Sequence, residues 1–255
     1  MIRRIDKAAV IGSGIMGGGI AALLADAGVE TMLFDIVPFN LSEEEKKDKS
    51  ARYRIVQAGF DAMMKARPAL IMDPKSAKRI SVCNLEDDLK KLGECDLIVE
   101  VVVENLKIKQ ELFAKIDKVR KADTIITTNT SGLPLKEISK GLSKQFKQHF
   151  MGTHFFNPVR YMHLLELIPS GDTKKEILDF MAEFGEKKLG KGIVWAKDTT
   201  TAATRRTTTP GAATILRRWR TGCGTRATPL PASPDHPSRM LSRSVSLNSR
   251  GTCDV

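Results

Sequence analysis

Long apolar runs are missing from this 255-residue chain, and no stretch approaches the ~18 residues that a membrane-spanning helix needs. No secretory leader is visible either, because "MIRRIDKAAVIGSG" passes straight into a strand-like segment without a cleavage region. The expectation is a soluble, cytoplasmic protein with no membrane partner. Cysteine is scarce. Cys83, Cys95, Cys223 and Cys253 have neither C-x-x-C spacing nor a histidine at zinc-ligand distance, which argues against a disulfide framework and against a metal site. Lysine also runs out: all 24 lysines lie before residue 198, and every basic residue after it is arginine.

That last absence changes the meaning of the net charge of +11. Residues 1–198 carry 32 Lys and Arg against 28 Asp and Glu, whereas residues 199–255 carry 9 against 2, so most of the excess sits in the tail. The tail is dominated by Thr, Ser, Pro and Arg and has no apolar period of 2 or 3.6, as expected of a segment that cannot bury enough surface to order itself. Nucleic-acid binding would call for aromatic interleaving or a recognition motif, and the tail offers only Trp219. No nucleic-acid partner is expected.

What is present before residue 199 is an alternation of apolar strand-like runs with helical patterns, the signature of a parallel sheet covered by helices. "KAAVIG" (7–12) reads as a strand, "IMGGGIAALLADAG" (15–28) as a helix and "VETMLFD" (29–35) as a second strand. Residues 41–67 place apolar side chains at helical intervals among charges, as in a helical excursion. Further strands are expected at 96–103 and 124–131, with a helix at 107–119 between them. The stretch "GTHFFNPVRYMHLLELIPS" (152–170) supplies two more strands, followed by a helix at 173–188 and a last strand, "GIVWAKD". The fold class is therefore α/β, a Rossmann-type, doubly wound and mostly parallel sheet over residues 1–198, followed by an irregular tail over 199–255.

"VIGSGIMGGG" holds Gly12, Gly14 and Gly17 in G-x-G-x-x-G spacing, directly after a strand and directly before a helix. In that context the first glycine permits the tight turn. The second lets the backbone approach a pyrophosphate at the helix N-terminus, and the third allows close helix–strand packing. Asp35 closes the second strand 18 residues after Gly17, where a carboxylate meets ribose hydroxyls, and no arginine follows to accept a 2′-phosphate. NAD is favoured over NADP.

The segment 152–170 places two histidines and a glutamate among aromatic and aliphatic neighbours. Strand alternation puts Glu166 on one face with Leu164 and Ile168, and His163 on the other with Leu165 and Leu167. His154 precedes the Asn157–Pro158 turn, so an adjacent strand can bring it to Glu166. Spacing alone leaves a second reading open, in which His154 is a satisfied core histidine and Glu166 a strand-end partner in a salt bridge. "TTNTSGLPL" places Asn129 and Ser131 just past a strand's C-terminal end, the edge at which open parallel sheets bind ligands. Taken alone, Ser131 reads as a helix N-cap before "LPLKEIS".

Together, "VIGSGIMGGGIA", "VVVENLKIKQELF", "TNTSGLPL" and "GTHFFNPVRYMHLLELIP" resemble the NAD-binding domain of the 3-hydroxyacyl-CoA dehydrogenase family from about residue 5 to residue 198. The resemblance implies NAD-dependent oxidation of the 3-hydroxyl of an L-3-hydroxyacyl-CoA thioester, as in fatty-acid β-oxidation. It matches His154 to the catalytic base, Glu166 to its paired carboxylate and Ser131 to the hydroxyl that holds the substrate's 3-oxygen. Glu104 and Lys109 match cofactor-side positions, Asn129 is expected on the cofactor side as well, and Asn157 matches a supporting polar residue. The chemistry is coherent, because oxidising a secondary alcohol removes the O–H proton as hydride leaves the same carbon. A free histidine titrates at about 6.5, which suits that task near neutral pH.

After Lys197, Asp198 and Thr199 the resemblance stops. Family members continue into an all-helical second domain that covers the acyl-CoA and forms the dimer interface. Here Thr204 stands where their active-site asparagine is expected, and the family dimer interface is expected to be absent. Loss of substrate positioning can remove up to ~7–11 kcal/mol of rate advantage, so the expectation is weak or no turnover by this chain. The alternative is a non-catalytic dinucleotide-binding module. As a hypothesis, the abrupt compositional change marks a reading-frame slip or an artificial junction at about residue 199. Sequencing the parent gene checks it: a helical domain encoded in another frame is the expected result, and a clean in-frame origin rejects it.

Overall fold

The computed structural model describes residues 4–198. The expectations for the tail, including Thr204, Cys223 and Cys253, fall outside the described residues. In chain order the elements are β1 (Lys7–Ile11), α1 (Ile15–Asp26), β2 (Glu30–Asp35), α2 (Lys49–Arg52), α3 (Arg54–Lys65), β3 (Ile80–Asn84), β4 (Leu97–Glu100) and α4 (Leu106–Val119). These are followed by β5 (Ile125–Thr128), α5 (Leu135–Ile138), α6 (Lys144–Gln148), β6 (Phe150–Phe155), β7 (Leu164–Pro169), α7 (Lys175–Lys187) and β8 (Gly192–Trp195).

The eight strands form one sheet in the order β3-β2-β1-β4-β5-β6-β7-β8. Every neighbouring pair is parallel except β6 and β7, which are antiparallel. Side-chain alternation divides the core into two layers. Ala8 and Val10 of β1 join Leu24 of α1, Val56 of α3 and Phe184 of α7 on one face. Ala9 and Ile11 join Phe113 of α4, Ile138 of α5 and Phe146 of α6 on the other. Helix α1 is apolar nearly all round because it is packed between the sheet and α3, and its stretch from Gly17 to Ala25 is buried. Among the described residues no helix is long and apolar enough to cross a membrane.

Several elements differ from the sequence expectation, among them β5, which covers only Ile125–Thr128 of the expected 124–131, and three differences have a local reason. The strand expected at 96–103 ends at Glu100, because the amide of Val102 turns inward to the Glu100 carboxylate at 2.7 Å. The helix expected to reach residue 28 ends at Asp26, with Gly28 at φ +88° carrying the chain out of it. Strand β3, "ISVCN", is not anticipated from the sequence. It is five residues long and lies at the sheet edge, where its pairing with β2 stabilises a segment too short to show a period of its own. At the far end, Asp198 accepts hydrogen bonds from the Leu135 and Lys136 amides and caps α5.

The link between β6 and β7 is clamped from three sides. Arg160 pairs with Asp26 at 2.6 Å, the Tyr161 hydroxyl donates to the Ala69 carbonyl at 2.8 Å, and the buried Lys191 amine donates to the Val159 and Met162 carbonyls at 2.5 and 2.8 Å. Burial, with the Arg160 charge nearby, pushes the Lys191 amine down to about 8. Its folded pKa thus lies below its unfolded value, so the cost of keeping it charged in the fold is full below pH 8 and is relieved as pH rises towards 10.5. The unfolding free energy of the protein, measured against a Lys191→Met variant, is expected to improve between pH 8 and 10 by up to about 3 kcal/mol. A pH-independent difference between the two would refute this.

Candidate active site

The parallel arrangement brings the C-terminal ends of β1, β2, β4, β5 and β6 to one edge of the sheet, together with the start of β7. The glycine turn follows β1. Gly12 adopts φ +108°, and a Cβ there would lie 2.6 Å from the Val101 carbonyl oxygen. A Cβ on Gly17 would lie 1.7 Å from the Gly12 oxygen, so turn and helix touch backbone to backbone. Gly14 has nothing within 4 Å of its missing Cβ, which leaves the start of α1 open to a ligand. The Asp35 carboxylate reaches back to this turn, accepting from the Ser13 amide and hydroxyl at 2.6 Å each. Exposed Ile15, Ile36 and Val103 follow β1, β2 and β4 at the same edge.

Beyond β4 lies a buried ionic group. Glu100 and Lys109 are almost completely enclosed, and the ammonium donates to Glu100 Oε1 at 2.7 Å. The second Glu100 oxygen accepts from the Thr128 hydroxyl at 2.6 Å, because the two residues are register partners across β4 and β5. Lys109 also lies 3.4 Å from Glu104 Oε2. Glu104 Oε1 in turn accepts from the Thr130 hydroxyl and from the amides of Ser131 and Gly132, the latter two at 3.1 and 3.0 Å. Partial burial acts to raise the Glu104 pKa, but the Thr130 and Gly132 donors and the Lys109 charge outweigh it and hold the carboxyl below its ordinary range.

The edge is knitted strand to strand. The Asn129 amide donates to the Glu100 carbonyl at 2.8 Å, and the Asn129 side-chain oxygen accepts from the Phe155 amide at 2.9 Å. That bond ties the end of β5 to the end of β6, next to His154. In the antiparallel register His154 stands directly opposite Glu166, with Nδ1 and Oε2 2.9 Å apart and both side chains about seven-eighths buried, at 12% and 13% exposure. A carboxylate only accepts, which places the proton on Nδ1 and leaves Nε2 as the basic nitrogen. The ring packs against Phe156 at 4.6 Å between centroids. His163 is elsewhere, with Nδ1 3.3 Å from the Gly190 carbonyl. Ser131 is exposed two residues past Asn129, and Asn157 is exposed two residues past β6.

Gly12, Gly14, Gly17, Asp35, Glu104, Lys109, Asn129, Ser131, His154 and Glu166 thus all lie at or beside one sheet edge. Glu100, Thr128, Thr130 and Ser13 were not singled out from the sequence. Glu100 could have been, since an acid embedded in "LIVEVVV" has to find a partner inside the fold. Among the described residues no group of three or more His, Cys, Asp or Glu is placed to hold a metal ion.

The model of the family described as "3-hydroxyacyl-CoA dehydrogenase, NAD binding domain" matches residues 7–199. The chain belongs to this family. It is an oxidoreductase family, and the matched domain binds NAD. A probable 3-hydroxyacyl-CoA dehydrogenase of Bacillus subtilis is 49% identical over 205 residues, covering 78% of this chain and 26% of the relative. One of Deinococcus radiodurans is 46% identical over 195 residues, covering 76% of this chain and 54% of the relative. The chain therefore spans about a quarter and about half of these relatives. The crystal structure of 3-hydroxybutyryl-CoA dehydrogenase from Escherichia coli superposes with a TM-score of 0.59 at 27% identity, covering 77% of this chain and 39% of that one.

The second and third glycines of the motif separate packing from binding. Gly14→Ala is expected to leave the melting temperature within a few degrees of wild type while weakening NAD binding at least about tenfold, because its methyl enters open space at the helix start. Gly17→Ala is expected to destabilise the fold outright, because its Cβ meets backbone. Calorimetry of both variants with NAD titration checks the pair, and equal loss of stability in the two would refute the distinction.

Proposed function

We infer that this chain carries the cofactor-binding and proton-handling part of an NAD-dependent dehydrogenase acting on the 3-hydroxyl of L-3-hydroxyacyl-CoA thioesters. The observation that carries the reading is the His154–Glu166 pair, aligned across β6 and β7 at the same sheet edge as the glycine turn. The residues at that turn fit the cofactor. The backbone at Gly12, Gly14 and Gly17 and the N-terminus of α1 would hold the pyrophosphate, and Asp35 the ribose. When bound, NAD supplies the hydride acceptor.

The remaining work falls to side chains of the chain itself. His154 Nε2 takes the proton of the substrate hydroxyl and returns it in the reverse direction. Glu166 holds Nδ1–H, which fixes the ring's tautomer and balances the imidazolium formed, as the aspartate does in a Ser-His-Asp triad. Ser131 hydrogen-bonds the 3-oxygen, Asn129 keeps β5 and β6 in register beside it, and Asn157 supports the histidine from the following turn. Glu104 and Lys109 serve the cofactor side. Substrate positioning in the family draws on more protein than the matched region, so turnover by this chain alone is expected to be weak. A second reading is a dinucleotide-binding module without turnover, which needs only the glycine turn and Asp35.

NADH oxidation with acetoacetyl-CoA, measured after NADH binding has been established, discriminates between them. His154→Gln is expected to lower the rate by roughly 10²–10⁴-fold, the usual worth of a general acid–base group, with NADH affinity within about threefold of wild type. Glu166→Gln is expected to act in the same direction by a smaller factor. A His154→Gln variant as active as the parent sinks the assignment, and NADH binding without any turnover in the parent favours the module.

A further inference from the structure

We propose that Glu100 is a positioning residue, which anchors the Lys109 ammonium away from Glu104 so that the Glu104 carboxylate stays latched onto the loop Thr130–Gly132 that carries Ser131. The proposal rests on the dehydrogenase reading for its consequence in catalysis, but the latch itself can be measured without it.

One ammonium lies between two carboxylates, and it is not shared equally: Lys109 Nζ is 2.7 Å from Glu100 and 3.4 Å from Glu104. Glu100 outcompetes Glu104 because it is fixed from every side. Its Oε1 also accepts from the Val102 amide at 2.7 Å, its Oε2 from Thr128, and its side chain is fully enclosed. Glu104 is 39% exposed, so it has freedom to move, and its Oε1 is committed to three donors of the loop. The loop has few other fastenings. The Thr130 amide reaches the Thr128 hydroxyl at 3.3 Å and the Leu133 amide reaches the Thr130 hydroxyl at 3.2 Å.

Removing the charge of Glu100 while keeping its shape leaves a buried ammonium whose nearest remaining carboxylate is Glu104. A buried charge recruits an available counter-charge, so Glu104 closes on Lys109 and its oxygen comes off the loop. The amides of Ser131 and Gly132 are then released, although neither touches Glu100.

Amide hydrogen exchange of the full chain, resolved by NMR, reads this directly. Glu100→Gln is expected to speed exchange at Ser131 and Gly132 by about tenfold, the worth of hydrogen bonds to a charged acceptor, with the core amide of Ile126 unchanged. Glu104→Gln is expected to speed the same two amides, and adding Glu100→Gln to it is expected to add nothing further. In the Glu100→Gln/Lys109→Met double variant nothing draws Glu104 away, and exchange should return to within about threefold of wild type. If Glu100→Gln does not fold, Glu100→Asp, with the carboxylate withdrawn by one methylene, is expected to act in the same direction. Unchanged exchange at Ser131 and Gly132, or acceleration shared equally by Ile126, overturns the proposal. In a chain that turns over acetoacetyl-CoA, Glu100→Gln is also expected to lower kcat by about tenfold. Exchange that responds as described in a protein insensitive to His154→Gln would keep the latch and remove the catalytic reading instead.

Discussion

The register of one antiparallel strand pair governs the candidate site. His154 faces Glu166 because β6 and β7 are aligned Met151 to Pro169 through Phe155 to Leu165. A slip of one residue would set Leu165 or Leu167 opposite the imidazole and turn Glu166 into the apolar layer where those leucines now pack. The core therefore enforces the register that the chemistry uses. The turn between the strands is held by Lys191, Arg160 and Tyr161, each bonded to a different part of the fold. Polar clamps of this kind leave the linking loop little freedom to shift the strands it joins.

A second constraint is the enclosed ion pair of Glu100 and Lys109. Burying two charges is costly unless hydrogen bonds satisfy both, and here they do, through Val102, Thr128 and the Val102 carbonyl. Such a pair is weak evidence for stability. Its position is more telling, since it sits where β4 and β5 both end, between the glycine turn and the loop of Ser131. Through Glu100 and Thr128 it links the ends of β4 and β5.

Much of this is legible in the residues alone. The glycine spacing, its strand and helix context and Asp35 are local signals, and local sterics decide them. Alternation along 164–168 already separated His163 from Glu166, and both the Gly190 contact of His163 and the pairing of Glu166 with His154 agree. Other features were not legible. Strand β3 depends on an edge pairing with β2, and the early end of β4 depends on where the Glu100 carboxylate turns. The use of the Asn129 side chain as a bridge to Phe155 likewise needs β5 and β6 already side by side.

The sequence by itself determined the periodicities, the turns and the list of residue types able to do chemistry, because each follows from backbone sterics and side-chain character within a few neighbours. It left open whether His154 was a core histidine or the partner of Glu166, and it did not say which residue would partner Glu100. Only the tertiary structure decided those, because they depend on which strands become neighbours and in what register. That choice is made by burial of the whole apolar pattern on both faces of the sheet at once.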